Sequence, residues 1–263
     1  MGLETRDLIL IMVAFHPSSS EVAALQRCLQ QLSPEIGYAV VVNDHSMGEP
    51  VEALLAAADF HLCLADNPGY GRAVNRMARL LPAAVPYLAA LNTDLTWEPG
   101  TFERMVGWLR EHSGAVLVVP RIVDPDGREQ RLCKQDPTVL GLFSRRFLPR
   151  WLKPGWLRAY DAWYAMADAD YGKVQSVPYL SGCCMVVRHA AFRAIGGFDE
   201  RFFLYLEDAD LTRQLRRLGQ ALHFPLATVV HAWGRGNHRS WWLTVVNLQS
   251  AWLYFSKWGW RWF

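Results

Sequence analysis

Acidic and aromatic side chains are concentrated between residues 196 and 211. Gly196 and Gly197 precede an aromatic strip, and Glu207 and Asp208 follow it. The apolar spacing further on predicts a helix whose first turn carries both carboxylates, where the helix dipole favours negative charge. A carboxylate presented there to a substrate could act as the general base that removes a hydroxyl proton. Acidic residues at a helix start are also common as plain caps, so the interpretation depends on other segments.

Three apolar runs earlier in the chain each end in a polar cluster. The clusters are Phe15 and His16 after residues 8–14, Asn43 to Ser46 after residues 38–42, and Asn92 to Asp94 after residues 87–91. Helical patterns over residues 21–32, 49–58 and 71–81 separate the runs. Strands that alternate with helices predict a parallel sheet, and ligands bind beyond the carboxyl ends of such strands. We therefore expect the three clusters to meet at one edge of a sheet.

In order along the chain, four segments resemble the motif series of family 2 glycosyltransferases with the GT-A fold. They are Asn43 to Ser46, Asn67 to Asn75, Leu91 to Asp94, and Gly196 to Asp210. Each motif alone is weak, but four in this order and in these strand contexts form a strong signal. Within the family the chain is similar to bacterial dTDP-rhamnosyltransferases of surface polysaccharide synthesis.

The resemblance extends from Leu8 to about Gly259 and implies an α/β fold. We expect a Rossmann-like mixed central sheet flanked by helices, with a C-terminal helical appendage. The predicted division is a catalytic domain over residues 1–239 and an aromatic, basic helical segment over residues 240–263.

The activity that the resemblance implies is an inverting, metal-dependent transfer of a sugar, rhamnose in the first instance. The sugar would pass from a nucleotide diphosphate to a glycan or a lipid-linked acceptor. A UDP-hexose donor is one alternative, and a sugar nucleotidyltransferase or a non-catalytic glycan-binding module are others. A nucleotidyltransferase would need a glycine-rich basic loop after the first strand, where residues 14–17 are Ala-Phe-His-Pro. A binding module would need neither Asp94 nor Asp208.

The resemblance assigns the metal ion, Mg²⁺ or Mn²⁺, to Asp94, which matches the last aspartate of the family's Asp-x-Asp motif. The first position of that motif is Asn92 in this chain, so the strand end offers one carboxylate rather than two. His231 resembles a C-terminal histidine that contacts the metal or the diphosphate in related enzymes. His238 lies in a glycine-rich stretch suited to closing over a diphosphate. The alternatives are that Asp94 caps a turn and that His231 is structural.

Nucleotide-sugar contacts are implied at the strand ends and in the segment from Asn67 to Asn75, with Arg72 near the diphosphate. Asn43 occupies the place of an aspartate that accepts the N3 hydrogen of uracil or thymine, and its amide leaves the pyrimidine open. The predicted set is Phe15, His16, Asn43, Asp44, Ser46, Asn67, Gly69, Gly71, Arg72, Asn75 and Asn92.

The acceptor side is predicted to lie around the carboxylates of the 196–211 segment. The resemblance makes Asp208 the base that takes the acceptor proton, and Glu207 orients the acceptor or shares that role. Gly182, Phe203 and Tyr205 complete the predicted acceptor side.

The composition agrees with a single catalytic unit. The chain has 263 residues, of which 51% are hydrophobic, and no linker or low-complexity tract divides it. Its five cysteines show no CxxC spacing, and an odd number argues against a disulfide framework, so we expect a reducing cytoplasm. We also expect no signal peptide and no membrane-spanning segment.

Basic charge is unevenly distributed although the net charge is only +2. Residues 137–160 and all residues after Asp210 lack acidic side chains and are rich in tryptophan and arginine. Such segments suit an anionic membrane surface, here the cytoplasmic face. The alternative is that these aromatic side chains pack on the core or on a second subunit. No nucleic-acid motif accompanies the charge.

Overall fold

A computed structural model of the chain describes residues 6–232 and 241–263. Within them, strands form one mixed sheet in the order β3-β2-β1-β4-β8-β6-β9-β5, and β7 pairs with β9. The strands are β1 (Leu8–Ala14), β2 (Ile36–Val42), β3 (Phe60–Cys63), β4 (Tyr87–Asn92), β5 (Leu95–Trp97), β6 (Ala115–Val123), β7 (Gln175–Ser176), β8 (Cys184–Arg188) and β9 (Gln220–His231).

Helices lie between most of these strands. They are α1 (Ser19–Leu29), α2 (Glu52–Ala57), α3 (Tyr70–Ala78), α4 (Thr101–Glu111), α5 (Val139–Phe147), α6 (Gly155–Tyr164), α7 (His189–Ala194), α8 (Glu207–Leu215) and α9 (Trp241–Trp258), with a 3₁₀ turn at Arg150–Leu152. The predicted mixed α/β architecture is therefore found.

The parallel half of the sheet brings the predicted polar clusters together. β1 lies between β2 and β4 and is parallel to both, and β3 continues the parallel set. The residues of β1 are almost wholly buried, as expected for a strand covered on both faces. The Asn43 backbone N–H donates to the Ala14 carbonyl at 2.8 Å, so the ends of β1 and β2 adjoin.

Local sequence explains how the first helices begin. Ser18 caps α1 and forms a capping box with Glu21, which satisfies free N–H groups of the first turn. The helix predicted over residues 49–58 is shorter and begins at Glu52. Glu49 precedes Pro50, and a following proline disfavours helical backbone.

The mixed half of the sheet adds β8, which starts beside the end of β4, and β9, which ends at the same edge. β8 runs antiparallel to β4, with Cys184 opposite Leu91. β9 is parallel to β6 and antiparallel to β5, and this pairing sets His231 opposite Leu95. Residues far apart in the chain thereby reach the edge where the parallel strands end.

A second, smaller apolar cluster attaches α9 to the segment before α8. Its buried members are Tyr179, Phe202, Leu206, Ala209, Tyr254 and Phe255. The Ser250 hydroxyl also donates to the Leu204 carbonyl at 2.7 Å. One face of the predicted appendage therefore packs on the catalytic unit, while Trp241, Trp252 and others on α9 stay exposed.

The predicted domain boundary at 239/240 falls within residues 233–240, outside the described residues. Throughout the described chain, every helix is too short or too polar to cross a bilayer. All five cysteines are free thiols.

An ionic network fixes the end of α9 to the start of α8. The Lys257 ammonium lies 2.8 Å from carboxylate oxygens of both Asp199 and Asp210, and the Trp258 indole N–H donates to Asp210 at 2.7 Å. Asp210 is fully buried, so its charge depends on these partners. Lys257, in the segment predicted to lie at a membrane surface, is thus engaged within the protein.

Replacing Lys257 should therefore destabilise the fold strongly. Lys257→Met keeps most of the apolar stem but leaves two carboxylates without their cation, and we expect a loss of about 3 kcal/mol in urea unfolding. Lys173→Met is the matched control, because Lys173 forms an exposed pair with Asp170 and such pairs contribute less than about 1 kcal/mol. Equal effects of the two changes would contradict this role of Lys257.

Candidate active site

Pairing of β5 with β9 creates a contact between Asp94 and His231. The Asp94 carboxylate lies 3.2 Å from Nε2 of His231, and the Ala232 N–H donates to the Asp94 carbonyl at 3.0 Å. The His231 side chain is 8% exposed, and that of Asp94 20%. The second oxygen of Asp94, Oδ1, is buried and has no hydrogen-bond partner among the described residues. The structure thus brings together the two residues predicted to hold the metal.

Gln130 determines which nitrogen of His231 faces Asp94. The Gln130 amide nitrogen donates to the His231 carbonyl at 2.9 Å, so its oxygen accepts from Nδ1 at 3.1 Å. In the neutral ring Nε2 is then an unprotonated acceptor directed at a carboxylate oxygen. Two acceptors at this distance are compatible only with a proton or a metal cation between them. Sequence reasoning missed Gln130, which lies in no recognisable motif.

Asp208 lies in the first turn of α8 and accepts three hydrogen bonds. Its Oδ1 accepts from the Tyr179 hydroxyl at 3.0 Å and from the Ala209 N–H at 2.9 Å. Its Oδ2 accepts from the Gly182 N–H at 2.9 Å. Donors on both oxygens stabilise an ionised carboxylate and fix its orientation. The predicted residues Gly182 and Asp208 are therefore direct partners.

Glu207 differs from its neighbour because it is buried. It is 8% exposed, and its Oε2 has no hydrogen-bond partner within the described residues. Burial, reinforced by the nearby charge of Asp208, raises the pKa of Glu207 to about 8. Glu207 is consequently protonated at neutral pH and able to donate a hydrogen bond.

The backbone before these carboxyl groups adopts an unusual conformation. Tyr205 and Leu206 have φ values of 70° and 62°, in the left-handed region that disfavours ordinary side chains. Leu206 is buried in the second apolar cluster with Tyr254 and Phe255. Packing against α9 therefore compensates backbone strain at the point where the chain presents Glu207 and Asp208.

Asp208 and Glu207 line a cavity of about 330 Å³ whose wall also carries basic and aromatic side chains. The other side chains include those of Lys134, Arg145, Arg146, Tyr164, Tyr179 and Tyr205. Burial lowers the pKa of Lys134, whose ammonium lies 4.4 Å from the centre of the Tyr179 ring. The two arginines were expected at a membrane surface with the rest of their basic segment. The structure places them beside the carboxylates instead.

The glycines of the Asn67 to Asn75 segment serve a different purpose from the one predicted. Gly69 has φ 95°, and a Cβ there would lie 2.3 Å from the Phe203 carbonyl oxygen. A Cβ on Gly71 would lie 2.8 Å from that of Phe198. Both glycines permit close packing of this segment against residues 198–203, in addition to any approach to a diphosphate.

Three polar residues of the predicted nucleotide-sugar set also hold neighbouring segments together. The Asn75 side chain, 2% exposed, donates to the Phe198 carbonyl and accepts from the Phe198 N–H. Arg72 donates through Nε to the Glu200 carbonyl at 2.7 Å. Asn43 is also 2% exposed and donates to the Asn67 oxygen, which in turn accepts from the Gly69 N–H, while its own Oδ1 has no hydrogen-bond partner among the described residues. Asn75 and Asn43 therefore support the site from inside the protein, and the base contact of Asn43 stays a prediction.

A histidine–carboxylate cluster occupies the ends of β1 and β2. Nδ1 of His16 lies 2.5 Å from Glu49, and its Nε2 lies 3.1 Å from Asp44. Hydrogen bonds to Glu49 and then to Asp44 raise the pKa of His16. Ser46 donates to Glu49 as well. Glu49 was missed because its pattern fitted a helix start.

Phe15 is 51% exposed beside His16, so it remains accessible to a base or sugar. Phe203 lies in the segment that packs on Gly69, and its carbonyl accepts from the Tyr70 N–H at 3.3 Å. Asn92, at the end of β4, donates its backbone N–H to Cys183 at 3.0 Å. His238 lies outside the described residues.

Cys183 marks the meeting point of the two halves of the site. Burial raises its pKa to about 12, and the charges of Asp94 and Asp208 contribute in the same direction. This buried thiol is therefore too weak an acid to act as a nucleophile. The Cys183 carbonyl accepts from Asn92, and the N–H of its neighbour Gly182 donates to Asp208. Over residues 6–232 and 241–263, no group of three or more His, Cys, Asp or Glu side chains is arranged to hold a metal ion.

Comparison with known proteins identifies relatives of the sequence. The model of the family described as Glycosyl transferase family 2 matches residues 11–196. An N-acetylglucosaminyl-diphospho-decaprenol L-rhamnosyltransferase of Mycobacterium tuberculosis is 30% identical over 208 residues, or 71% of this chain. A pre-mycofactocin glycosyltransferase of the same organism is 25% identical over 238 residues, or 88% of this chain. The chain spans 66% and 43% of the lengths of these two relatives.

Solved structures share the fold at low sequence identity. GalNAc-T7, crystallised with UDP, GalNAc and Mn²⁺, superposes with a TM-score of 0.65 and 13% identity, covering 96% of this chain and 48% of that one. The mannosyltransferase PcManGT of Pyrobaculum calidifontis, in complex with GDP-Man and Mn²⁺, gives a TM-score of 0.61 and 14% identity, covering 95% and 63%. The predicted GT-A fold is confirmed.

The raised pKa of Glu207 predicts a pH-dependent loss of stability. Because the folded protein binds a proton that the unfolded chain releases more readily, this contribution is present at low pH and is lost as pH rises through the folded-state pKa. Glu207→Gln stays neutral, so its melting temperature should fall less than that of the wild type between about pH 6 and about pH 9. Glu52→Gln, at an exposed site on α2, should follow the wild type. Parallel curves for Glu207→Gln and wild type would contradict a neutral Glu207.

Proposed function

The chain belongs to glycosyl transferase family 2, and on this premise we propose that it transfers a sugar from a nucleotide diphosphate to an acceptor hydroxyl with inversion. The proposed donor is dTDP-rhamnose, and the proposed acceptor is a saccharide that is lipid-linked or part of a surface glycan. The observation that carries the proposal is the Asp94–His231 contact and the link from it to Asp208: the Gly182 N–H donates to Asp208, and the carbonyl of the next residue, Cys183, accepts from the N–H of Asn92.

The residues present fit a divalent cation of the Mg²⁺ or Mn²⁺ class. The unpartnered Oδ1 of Asp94 and the orientation that Gln130 imposes on His231 provide one oxygen and one nitrogen ligand. With no third such side chain in the described chain, the remaining ligands would be phosphate oxygens and water. A cation held there would neutralise charge on the departing diphosphate.

Asp208 is the proposed base. It is half-buried on the cavity wall, and the donors Tyr179, Gly182 and Ala209 hold it in one orientation. An ionised carboxylate within hydrogen-bond reach of the acceptor hydroxyl takes its proton as the oxygen attacks the anomeric carbon. Attack from the face opposite the diphosphate inverts that carbon. Protonated Glu207 would position the acceptor by donating a hydrogen bond.

The relatives of known activity support rhamnose as the donor sugar. The rhamnosyltransferase of M. tuberculosis is 30% identical, and its name also indicates a decaprenol-linked acceptor. The glycosyl transferases of known structure carry UDP or GDP-Man, so the fold alone is compatible with several donors. A thermal-shift screen of dTDP-, UDP- and GDP-sugars with Mn²⁺ tests the choice, because a ligand that binds the folded state raises the melting temperature.

Asp94→Ala should abolish Mn²⁺-dependent binding of dTDP while the fold persists. We expect calorimetry to report a loss of affinity of at least about 100-fold, since outer-shell partners alone typically contribute about 10- to 100-fold. Asp170→Ala is the control, because Asp170 is an exposed carboxylate that pairs with Lys173 and belongs to no part of the predicted site. Unchanged affinity in Asp94→Ala would remove this residue from the metal site.

Asp208→Asn should lower kcat by about 10²- to 10⁴-fold and leave donor affinity nearly intact, since it removes the base but keeps the shape. The measurement is steady-state transfer combined with dTDP calorimetry on the same preparation. Asp161→Asn, a change of the same type at a residue paired with Lys153, controls for loss of a buried carboxylate elsewhere. Transfer at the wild-type rate in Asp208→Asn would exclude Asp208 as the base.

A further inference from the structure

Two arginine side chains make part of the cavity cationic, and the proposed sugar transfer does not require them. Arg145 and Arg146 line it together with Glu207 and Asp208. Arg146 donates to Thr244 at 2.6 Å, and Arg145 packs 5.9 Å from the centre of the Tyr164 ring. Neither forms a salt bridge with a carboxylate of the described chain. Two guanidinium groups without anionic partners beside a substrate cavity favour binding of a phosphate-bearing group.

An apolar groove continues from this cavity between α5 and α9. Leu142 and Asn247 line both spaces, so cavity and groove are contiguous. The groove, of about 310 Å³, is lined by Phe143, Phe147, Leu248, Trp252, Phe255 and Trp260. Trp252 is 65% exposed and Leu248 52%, which leaves apolar surface in contact with water. Uncovered apolar surface on this scale commonly marks a binding site.

The segment that follows α9 is hydrogen-bonded to the first turn of α5. The N–H groups of Val139 and Leu140, in the first turn of α5, donate to the carbonyls of Arg261 and Trp262 at 2.9 and 3.0 Å. These bonds satisfy free donors of the helix and fix the tail beside it. The groove is therefore formed by elements that are held together.

We propose that the cavity and groove together bind an isoprenoid diphosphate-linked saccharide. The saccharide hydroxyl would lie at Asp208, the diphosphate at Arg145 and Arg146, and the first isoprene units in the α5–α9 groove. This inference rests on the proposed function and specifies its acceptor. A carboxylate, a cationic surface and an apolar groove follow one another along the site, and they match the hydroxyl, the diphosphate and the isoprenoid of such a molecule in that order. A free oligosaccharide would leave the groove empty, and a second copy of this chain would leave the arginines without an anion.

Calorimetry with two isoprenoid diphosphates tests the proposal without requiring turnover. Farnesyl and isopentenyl diphosphate share a headgroup and differ in the number of isoprene units. Wild-type protein, with its donor site saturated by dTDP and Mn²⁺, should bind farnesyl diphosphate at least about tenfold more tightly, because buried CH₂ groups each contribute to affinity. Equal affinity for the two compounds would overturn the groove as the isoprenoid site.

Matched variants separate the two parts of the site. Leu248→Asp should remove the preference for farnesyl diphosphate, while Leu218→Asp, a leucine with 51% exposure outside the groove, should retain it. Arg145→Gln should weaken both compounds by about tenfold or more, as expected for loss of a charge-assisted bond, whereas Arg27→Gln on α1 should not. Retained preference in Leu248→Asp would overturn the assignment.

Binding of the donor nucleotide is measured separately from binding of the isoprenoid diphosphates. All four variants should bind dTDP with Mn²⁺ as the wild type does, since none lies at the Asp94–His231 pair. Failure of the wild type to bind dTDP would contradict the proposed function, whereas dTDP binding without a farnesyl preference would contradict this inference alone. Sedimentation velocity adds one control: a dimer that Leu248→Asp dissociates would assign the groove to a second copy and overturn the proposal.

Discussion

The hydrogen bond from the Gly182 amide to Asp208 joins the two halves of this active site. Gly182 lies next to Cys183, whose carbonyl accepts from the N–H of Asn92 at the end of β4. The carboxylate of α8 is thereby tied to the sheet edge that carries Asp94. A glycosyl transfer needs a metal-binding side and an acceptor side at fixed separation, because misplacement of reacting groups by about 1 Å costs about 100-fold in rate. This bond and its neighbours provide that constraint.

The helix α9 also helps to position Glu207 and Asp208. Tyr254 and Phe255 cover Leu206, Ser250 binds the Leu204 carbonyl, and Lys257 neutralises the buried Asp210. Together these contacts hold the left-handed backbone that presents Glu207 and Asp208. α9 also forms one wall of the apolar groove, so a single element both stabilises the backbone before Glu207 and Asp208 and lines the proposed acceptor surface.

Much of the fold follows from local patterns in the sequence. The apolar runs predicted β1, β2 and β4, and the polar clusters at their ends indicated the correct edge of the sheet. The pairing of β5 with β9, which brings His231 to Asp94, is a contact between residues 137 positions apart and has no local signal. The same is true of Gln130, whose partner His231 is 101 positions away, and of the contact between Glu49 and His16.

Composition was a poorer guide where one residue type serves two purposes. Arginine- and tryptophan-rich segments indicated a membrane surface, whereas Arg145 and Arg146 line the catalytic cavity and Lys257 is paired inside the protein. Amide side chains at Asn43 and Asn75 matched nucleotide-binding motifs, yet burial gives them a supporting role. Hydrogen-bond partners, which sequence spacing does not reveal, distinguish these cases.

Asp94 and His231 are proposed to hold the metal of a nucleotide-sugar site. Crystals of the protein grown with dTDP and Mn²⁺ would locate that ion by its anomalous scattering. We expect one strong peak bonded to an oxygen of Asp94 and to Nε2 of His231, with the diphosphate as a further ligand. A peak at the Asp44 and Glu49 cluster instead, with none at Asp94, would contradict it.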